Sequence, residues 1–514
     1  MTLSRVRIGV TSVLLAVVAL KVAALAIDPT IRLFLGDSAA YLNAAADNWL
    51  PPERSFVYPV LIKALVFPTG SLWTLLFWQT LAGLGVALLL WLTLVRRLAL
   101  PRGLALAAAC VLAIEPAQLF YERMVMAETL GLLAFAGFFA SCGVYLAHGR
   151  AAWLPLTTFL GLLAVSIRLN YLPVVAVISL ALPLLRGLDP VARPGGRRLL
   201  AHSLLALCAF FALHGTYRHA VGRGFKAPPG YIARVGFMRL GLVAPLIKPE
   251  HFVRVGLPAD FAEHLTHNLA NPDTRPSQFW AVGGLADAIA QRGLDVDRVG
   301  LDLATLAVAD DPFGLVRLGV HTLGNYFRPP LARLRLDTDL ARAPDYPDAL
   351  VQKLRARWRY DIAGLPQRIT PISRYFEVGS WWLVACLFLL APLAALNLAL
   401  HWRDPRRTQI LLGALVGVGL VMTHVLFSSI ASYRYLHGLP FFTLVNLLPL
   451  LSRKGRGARD EGPGQNKDQV PGARAQEGSG MQGSGRPRTM HSTRREHPKE
   501  LLSALIPEEL IPGA

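Results

Sequence analysis

The chain has 514 residues, 53% of them hydrophobic and only 17% charged, against about 25% charged in a soluble globular chain. Its apolar residues come in blocks long enough to cross a bilayer, which takes about 20 residues each, so a soluble fold and domain-counting from length are both excluded. The net charge of +19 comes without a basic stripe interleaved with aromatics, which sets aside nucleic acid as a partner and leaves basic loops and a basic tail as its source.

In chain order, the hydropathy pattern predicts an all-α polytopic membrane protein with about ten transmembrane helices. The first span lies near 8–27 and the second near 70–95, after a shorter apolar piece at 58–68. The next five lie near 103–120, 124–147, 152–167, 172–186 and 199–215, closing an N-terminal transmembrane module over 1–215. A less apolar stretch, 216–377, carries apolar residues at helical spacing and predicts a mostly helical extracytoplasmic domain. Three C-terminal spans follow within 378–451, near 378–400, 408–427 and 436–451. The tail, 452–514, is rich in Gly, Pro, Gln and charge and predicts a disordered cytoplasmic segment. Cys110, Cys142, Cys208 and Cys386 all lie inside apolar blocks without metal-like spacing and read as packing residues.

Orientation follows from Lys and Arg in the short loops. Arg5 and Arg7, then Arg96, Arg97 and Arg102, Arg150, the group Arg186, Arg193, Arg197 and Arg198, and finally Arg403, Arg406 and Arg407 occupy every second connection. Those connections and both termini are therefore expected in the cytoplasm of a cell whose inner (plasma) membrane the chain spans. The alternate connections and 216–377 are expected outside. The paired carboxylates Asp310, Asp311 and Asp337, Asp339 in that stretch read as solvated loop or N-cap residues rather than metal ligands.

The external junctions collect polar residues. "FLGDSAAYLNAA" places Asp37 just past the first span, and "PPERSFVYPVLIKAL" adds Arg54 and Tyr58 ahead of an amphipathic, interface-like segment. "LAIEPAQLFYERMVMAETLGLL" brings Glu115, Glu122, Arg123 and Glu128; a carboxylate such as Glu128 at the start of an apolar span costs a few kcal/mol and calls for a cavity or a cationic partner. "SIRLNYLP" supplies Arg168, and "THVLFSSIASYRYLHGLP" supplies His424, Arg434, Tyr435 and His437. A carboxylate can draw a proton from a hydroxyl, and arginines hold a phosphate in a planar fork. A substrate with its phosphate at the membrane surface and its lipid tail buried suits that set, as a polyprenyl-phosphate sugar would.

These fragments resemble the GT-C superfamily of membrane glycosyltransferases, most closely the bacterial branch related to protein mannosyltransferases and lipid A aminoarabinose transferases. "GDSAAYLNAA" is similar to the first-loop aspartate motif, "RSFVYPVLIKAL" to an R-x-P-x-YP segment with Phe56 where proline is frequent, and "EPAQLFYERMVMAETLGLL" to a second loop with Pro116, Tyr121 and Glu128. "IRLNYLP" and "SYRYLHGLP" resemble the Arg-containing junctions that follow. Ser38 stands where the protein mannosyltransferases place the second member of an Asp-Glu pair.

The resemblance implies catalysis in the 1–215 module and inverting transfer of one sugar from a polyprenyl-phosphate donor to an extracytoplasmic lipid, glycan or protein acceptor. Asp37 takes the role of base. Arg54, Arg168 and Arg434 clamp the donor phosphate. Tyr58, Glu115, Glu128, Tyr435 and His424 shape the donor site or orient the arginines. No cofactor is expected, a divalent metal at Glu115 or Glu122 being the disfavoured alternative; membrane lipids and the donor are the expected partners. The rival reading is a transporter or flippase of lipid-linked substrates, which would show paired repeats and spans broken near the midplane.

Overall fold

A computed structural model describes residues 9–34, 36–47, 50–189, 193–225, 229–342 and 348–452. The tail from residue 453, with its terminal "LLSALIPEELIP", and the basic pair Arg5 and Arg7 lie outside the described residues. All described residues belong to the first of the two units of the chain, Met1–Asp460.

Helix is the regular structure throughout the described residues, joined by one parallel bridge between Arg32 and Met124. The N-terminal part comprises α1 (Val10–Ile27), α2 (Asp37–Asp47), α3 (Val57–Val66), α4 (Leu72–Arg96), α5 (Arg102–Ala113), α6 (Pro116–Tyr121), α7 (Glu128–His148), α8 (Trp153–Ile167), α9 (Leu172–Gly187) and α10 (Gly196–Phe225). The less apolar stretch holds α11 (Val235–Val243), α12 (Pro249–Arg254), α13 (Arg275–Trp280), α14 (Leu285–Gln291), α15 (Val296–Asp310), α16 (Gly314–Gly324), α17 (Pro329–Asp339) and α18 (Asp348–Trp358). The chain then enters α19 (Pro371–Leu400), α20 (Arg407–Phe427) and α21 (Leu439–Ser452).

Among the described residues, eight helices are long and apolar enough to cross a membrane: α1, α4, α7, Leu169–Gly187, α10, α19, α20 and Tyr433–Ser452. This is a helical membrane protein. The two other expected spans correspond to shorter helices, α5 with 12 residues and α8 with 15. α5 stops early because Pro116 follows: the residue before a proline is pushed out of the α region, and Glu115 instead caps the separate α6, accepting from the Gln118 amide at 2.6 Å. α10 runs on to Phe225, beyond the expected end at 215.

Helix starts follow from local chemistry. At α19, Thr370 Oγ1 accepts from the Ser373 amide at 3.3 Å, Ser373 Oγ accepts from the Thr370 amide at 2.9 Å, and Pro371 fills the first helical position. This reciprocal cap satisfies two otherwise orphaned donors. Thr370→Ala is expected to cost about 1 kcal/mol, read as a lower thermal-unfolding midpoint in detergent; an unchanged midpoint would mean the cap is dispensable.

α7 packs on α4 and α8, α10 on α8 and α9, α1 on α4 and α5, and α19 on α20 and α21. Their shared core includes Leu90, Phe135, Phe138, Leu383 and Phe442. Opposite faces leave Leu15 and Val22 of α1, Leu200, Leu204 and Phe211 of α10, and Trp381 and Leu389 of α19 exposed, as a hydrocarbon solvent allows. The less apolar stretch is helical as expected, around Phe237, Leu240, Phe252, Phe279, Leu285 and Leu303. α11 and α15 cross at Gly236 and Gly300, where any Cβ would strike the facing backbone. α16 packs on α20, and α17 meets the turn at Tyr433–Leu436.

Candidate functional site

The segment after α1 runs beside the junction between α6 and α7. Arg32 donates its amide to Arg123 O at 2.8 Å and accepts from the Val125 amide at 2.9 Å. Gly36, at φ +84°, turns the chain into α2 so that Asp37 is its first residue. Ser38 Oγ donates to Val125 O at 2.8 Å and accepts from the Phe34 amide at 2.7 Å. The residue that departs from the Asp-Glu pattern thus fastens the two junctions together.

Asp37 is 8% exposed and sits between two arginines. Arg54 Nε donates to Asp37 Oδ1 at 2.8 Å, with Arg54 Nη2 on the same oxygen. Arg434 Nη1 donates to Asp37 Oδ2 at 2.6 Å. Burial works against the Asp37 charge, but Arg434 and Arg54 outweigh it and hold the carboxyl below the usual carboxylate range.

Arg434 is itself positioned on several sides. Its guanidinium carbon lies 4.7 Å from the Phe34 ring centre and 4.9 Å from that of Tyr435, and Nη2 donates to the Tyr435 hydroxyl at 3.0 Å. Its carbonyl accepts from Arg168 Nη2 at 2.9 Å. Arg168 also lies 3.5 Å from Glu128 Oε1, the cationic partner that Glu128 required. The Arg54 guanidinium carbon stands 5.7 Å from the centre of the Trp280 ring of α13.

The fold therefore brings Asp37, Arg54, Arg168, Arg434, Glu128 and Tyr435 together. Tyr58 is fully buried one layer behind: its hydroxyl donates to Gln79 Oε1 at 2.8 Å, and Gln79 Nε2 donates to Glu122 O and Met124 O at 2.9 and 2.8 Å. It positions the second junction. His424 Nε2 lies 3.2 Å from the Tyr326 hydroxyl, which donates to Ser432 O at 2.9 Å, so His424 backs the turn that carries Arg434.

Glu115 falls in a different buried cluster. Lys21 Nζ donates to Glu122 Oε1 at 2.5 Å and to Ala113 O at 2.7 Å, Gln118 Nε2 donates to Glu122 Oε1 at 2.8 Å, and His437 Nε2 lies 3.0 Å from Gln118 Oε1. Gly83 of α4 makes room for it; a Cβ there would meet Glu122 Oε1 and Gln118 Nε2. Lys21 went unread in the sequence although a lone cation in "VVALKVAALAI" is a legible signal.

The carboxylates of the less apolar stretch need correction. Asp310 and Asp337 are accessible as expected, but they lie in the last turns of α15 and α17 rather than in loops or at N-caps, paired with His251 and with Arg333 and Arg342. Asp339 is neither solvated nor an N-cap: it ends α17, is 2% exposed and takes hydrogen bonds from the turn before Arg434. Helix α17 points its last turn into the protein, and no local pattern in "RLRLDTDL" distinguishes the inward carboxylate from the outward one. No protein-family model, curated protein or solved structure matches the chain.

Proposed function

We propose that this protein is a membrane glycosyltransferase of GT-C type that moves a sugar from a polyprenyl-phosphate donor to an acceptor hydroxyl at the outer leaflet, with Asp37 as general base. The observation that carries the reading is the buried Asp37 carboxylate shared by Arg54 and Arg434, which stand 17 and 397 residues away in the chain. A paired guanidinium seat of this kind suits a phosphate, and the Asp37 carboxylate occupies it here.

The exchange of anions links binding to chemistry. An incoming phosphate competes for Arg54 and Arg434. As they turn to it, Asp37 loses the attraction that depresses its proton affinity and becomes a stronger base when donor is present. The acceptor oxygen attacks the anomeric carbon, its proton passes to Asp37, and the bond from that carbon to the phosphate oxygen breaks. Polyprenyl phosphate leaves with its charge held by the arginines. Arg168 acts from behind, holding the Arg434 carbonyl and pairing with Glu128. The site then opens on the extracytoplasmic side, with both termini in the cytoplasm.

The test is release of polyprenyl phosphate by the nanodisc-embedded protein from a panel of radiolabelled polyprenyl-phosphate sugars, each with a mixture of lipid, glycan and protein acceptors, with and without EDTA. Release that survives EDTA supports the reading; release lost with EDTA would mean that a divalent metal takes part, away from Glu122, whose carboxylate is already paired with Lys21. No release with any donor or acceptor, and no binding of polyprenyl phosphate, would sink it. Arg54→Lys and Arg434→Lys keep the charge but lose the fork. Each is expected to weaken polyprenyl-phosphate binding about tenfold, the value of one charge-assisted hydrogen bond, by tryptophan-fluorescence titration.

A further inference from the structure

The turn that carries Arg434 is held from the less apolar stretch by a carboxylate that the proposed reaction does not use. Ser432 Oγ donates to Asp339 Oδ1 at 2.8 Å and Oδ2 at 3.1 Å, and the Tyr433 amide donates to Asp339 Oδ2 at 2.6 Å. From the same side, the Tyr326 hydroxyl donates to Ser432 O. These contacts fix the backbone immediately before Arg434, whose own carbonyl is fixed by Arg168. With backbone contacts on both sides of its Cα, the Arg434 side chain turns from a fixed base, and preorganisation of this kind reduces the cost of ordering on binding.

We propose that Asp339 is a positioning residue through which the less apolar stretch sets Arg434 for a phosphate-bearing lipid, and that its protonation loosens the clamp. The functional half rests on the donor reading; the positioning half rests on geometry alone. Asp339 is electrostatically close to Arg335 of its own helix, to Tyr433 and Arg434 of the turn, to Tyr326 ahead of α17 and to Tyr121 of α6. Burial, opposed by Arg434 and by the hydrogen bonds of the turn, raises its carboxyl to about 6. Above that pH the ionised group accepts from both Ser432 and Tyr433. Below it, one oxygen carries a proton and the charge assistance to both donors is lost.

The experiment uses the full chain in nanodiscs, farnesyl phosphate as the probe, and Asp339→Asn beside the unmodified protein at pH 8 and pH 5. The Kd of Asp339→Asn should exceed that of the unmodified protein about tenfold at pH 8, as for one lost charge-assisted contact, and match it at pH 5. The probe's own ionisation near pH 6 is common to both proteins and cancels in this ratio. In parallel, amide exchange over 431–437 at pH 8 should quicken in Asp339→Asn while exchange in α19 and α20 is unchanged. Equal Kd at both pH values with unchanged exchange overturns the proposal. If the unmodified protein does not bind farnesyl phosphate, exchange decides: quickening keeps the positioning role and removes the donor reading, and no change removes the positioning role. Should Asp339→Asn not fold, Ser432→Ala takes its place, with the exchange of the unmodified chain, corrected for intrinsic rates, compared at the two pH values.

Discussion

Asp37→Asn is expected to leave the protein folded and to lower release of polyprenyl phosphate about 10²–10⁴-fold, the contribution of a positioned general base. Asparagine has the shape of aspartate and keeps one acceptor oxygen, but it has no charge with which to take a proton. The same change removes the anion that competes for Arg54 and Arg434. Polyprenyl phosphate should therefore bind Asp37→Asn more tightly than the unmodified protein. Lost turnover with tighter binding would identify Asp37 as both base and occupant of the phosphate seat. Turnover equal to that of the unmodified chain would reduce it to a structural partner of Arg54 and Arg434. Because its folded-state value is depressed, Asp37 contributes stability that is present above the unfolded value, about 3.9, and is lost as the pH falls through the folded one. In the protein without donor, a transition near pH 6 therefore belongs to a group other than Asp37, and Asp339, raised to about 6, is one candidate.

The largest loss of stability is expected at the Lys21–Glu122 pair. Both side chains are buried, at 3% and 0% exposure. Lys21→Met would leave the Glu122 carboxylate with Gln118 as its remaining side-chain donor, and Glu122→Gln would leave the Lys21 ammonium without a counter-ion in contact. Each is expected to cost about 3–5 kcal/mol, because the surviving charge stays desolvated and uncompensated. The double variant Lys21→Met/Glu122→Leu removes both charges and should recover most of that loss. A double-mutant cycle on thermal unfolding in detergent measures the coupling; additive single losses would mean that the two groups do not stabilise one another. The effect should reach the candidate site, since Gln118 of this cluster meets His437, which follows the Arg434 turn.

Much of the helical layout was legible from residues alone. A block such as Leu72–Arg96 declares itself by hydropathy because each residue contributes independently of the rest of the fold. One exception is local in cause: Pro116 shortens α5. The other is not: α10 runs past its apolar block through the glycine-rich "GTYRHAVGRGF", against its weak helix preference, where Tyr217 and Phe225 pack on Phe56. The site was legible in part. Glu128 needed a cation, and Arg168 provides it. Glu115 lay in the same junction as Glu128, yet the break at Pro116 sends it towards Lys21 instead.

What the sequence determined by itself was therefore the helical membrane character, the order of the apolar blocks and the short list of polar residues at their ends, since each depends on composition within a few turns of chain. Only the tertiary structure decided which members of that list meet. The Asp37 carboxylate is bound by Arg54 and Arg434, and Asp339 turns inward to the backbone before Arg434, because helices distant in sequence pack at fixed places and close side-chain contacts follow from that packing. No local pattern carries the distance between residue 37 and residue 434.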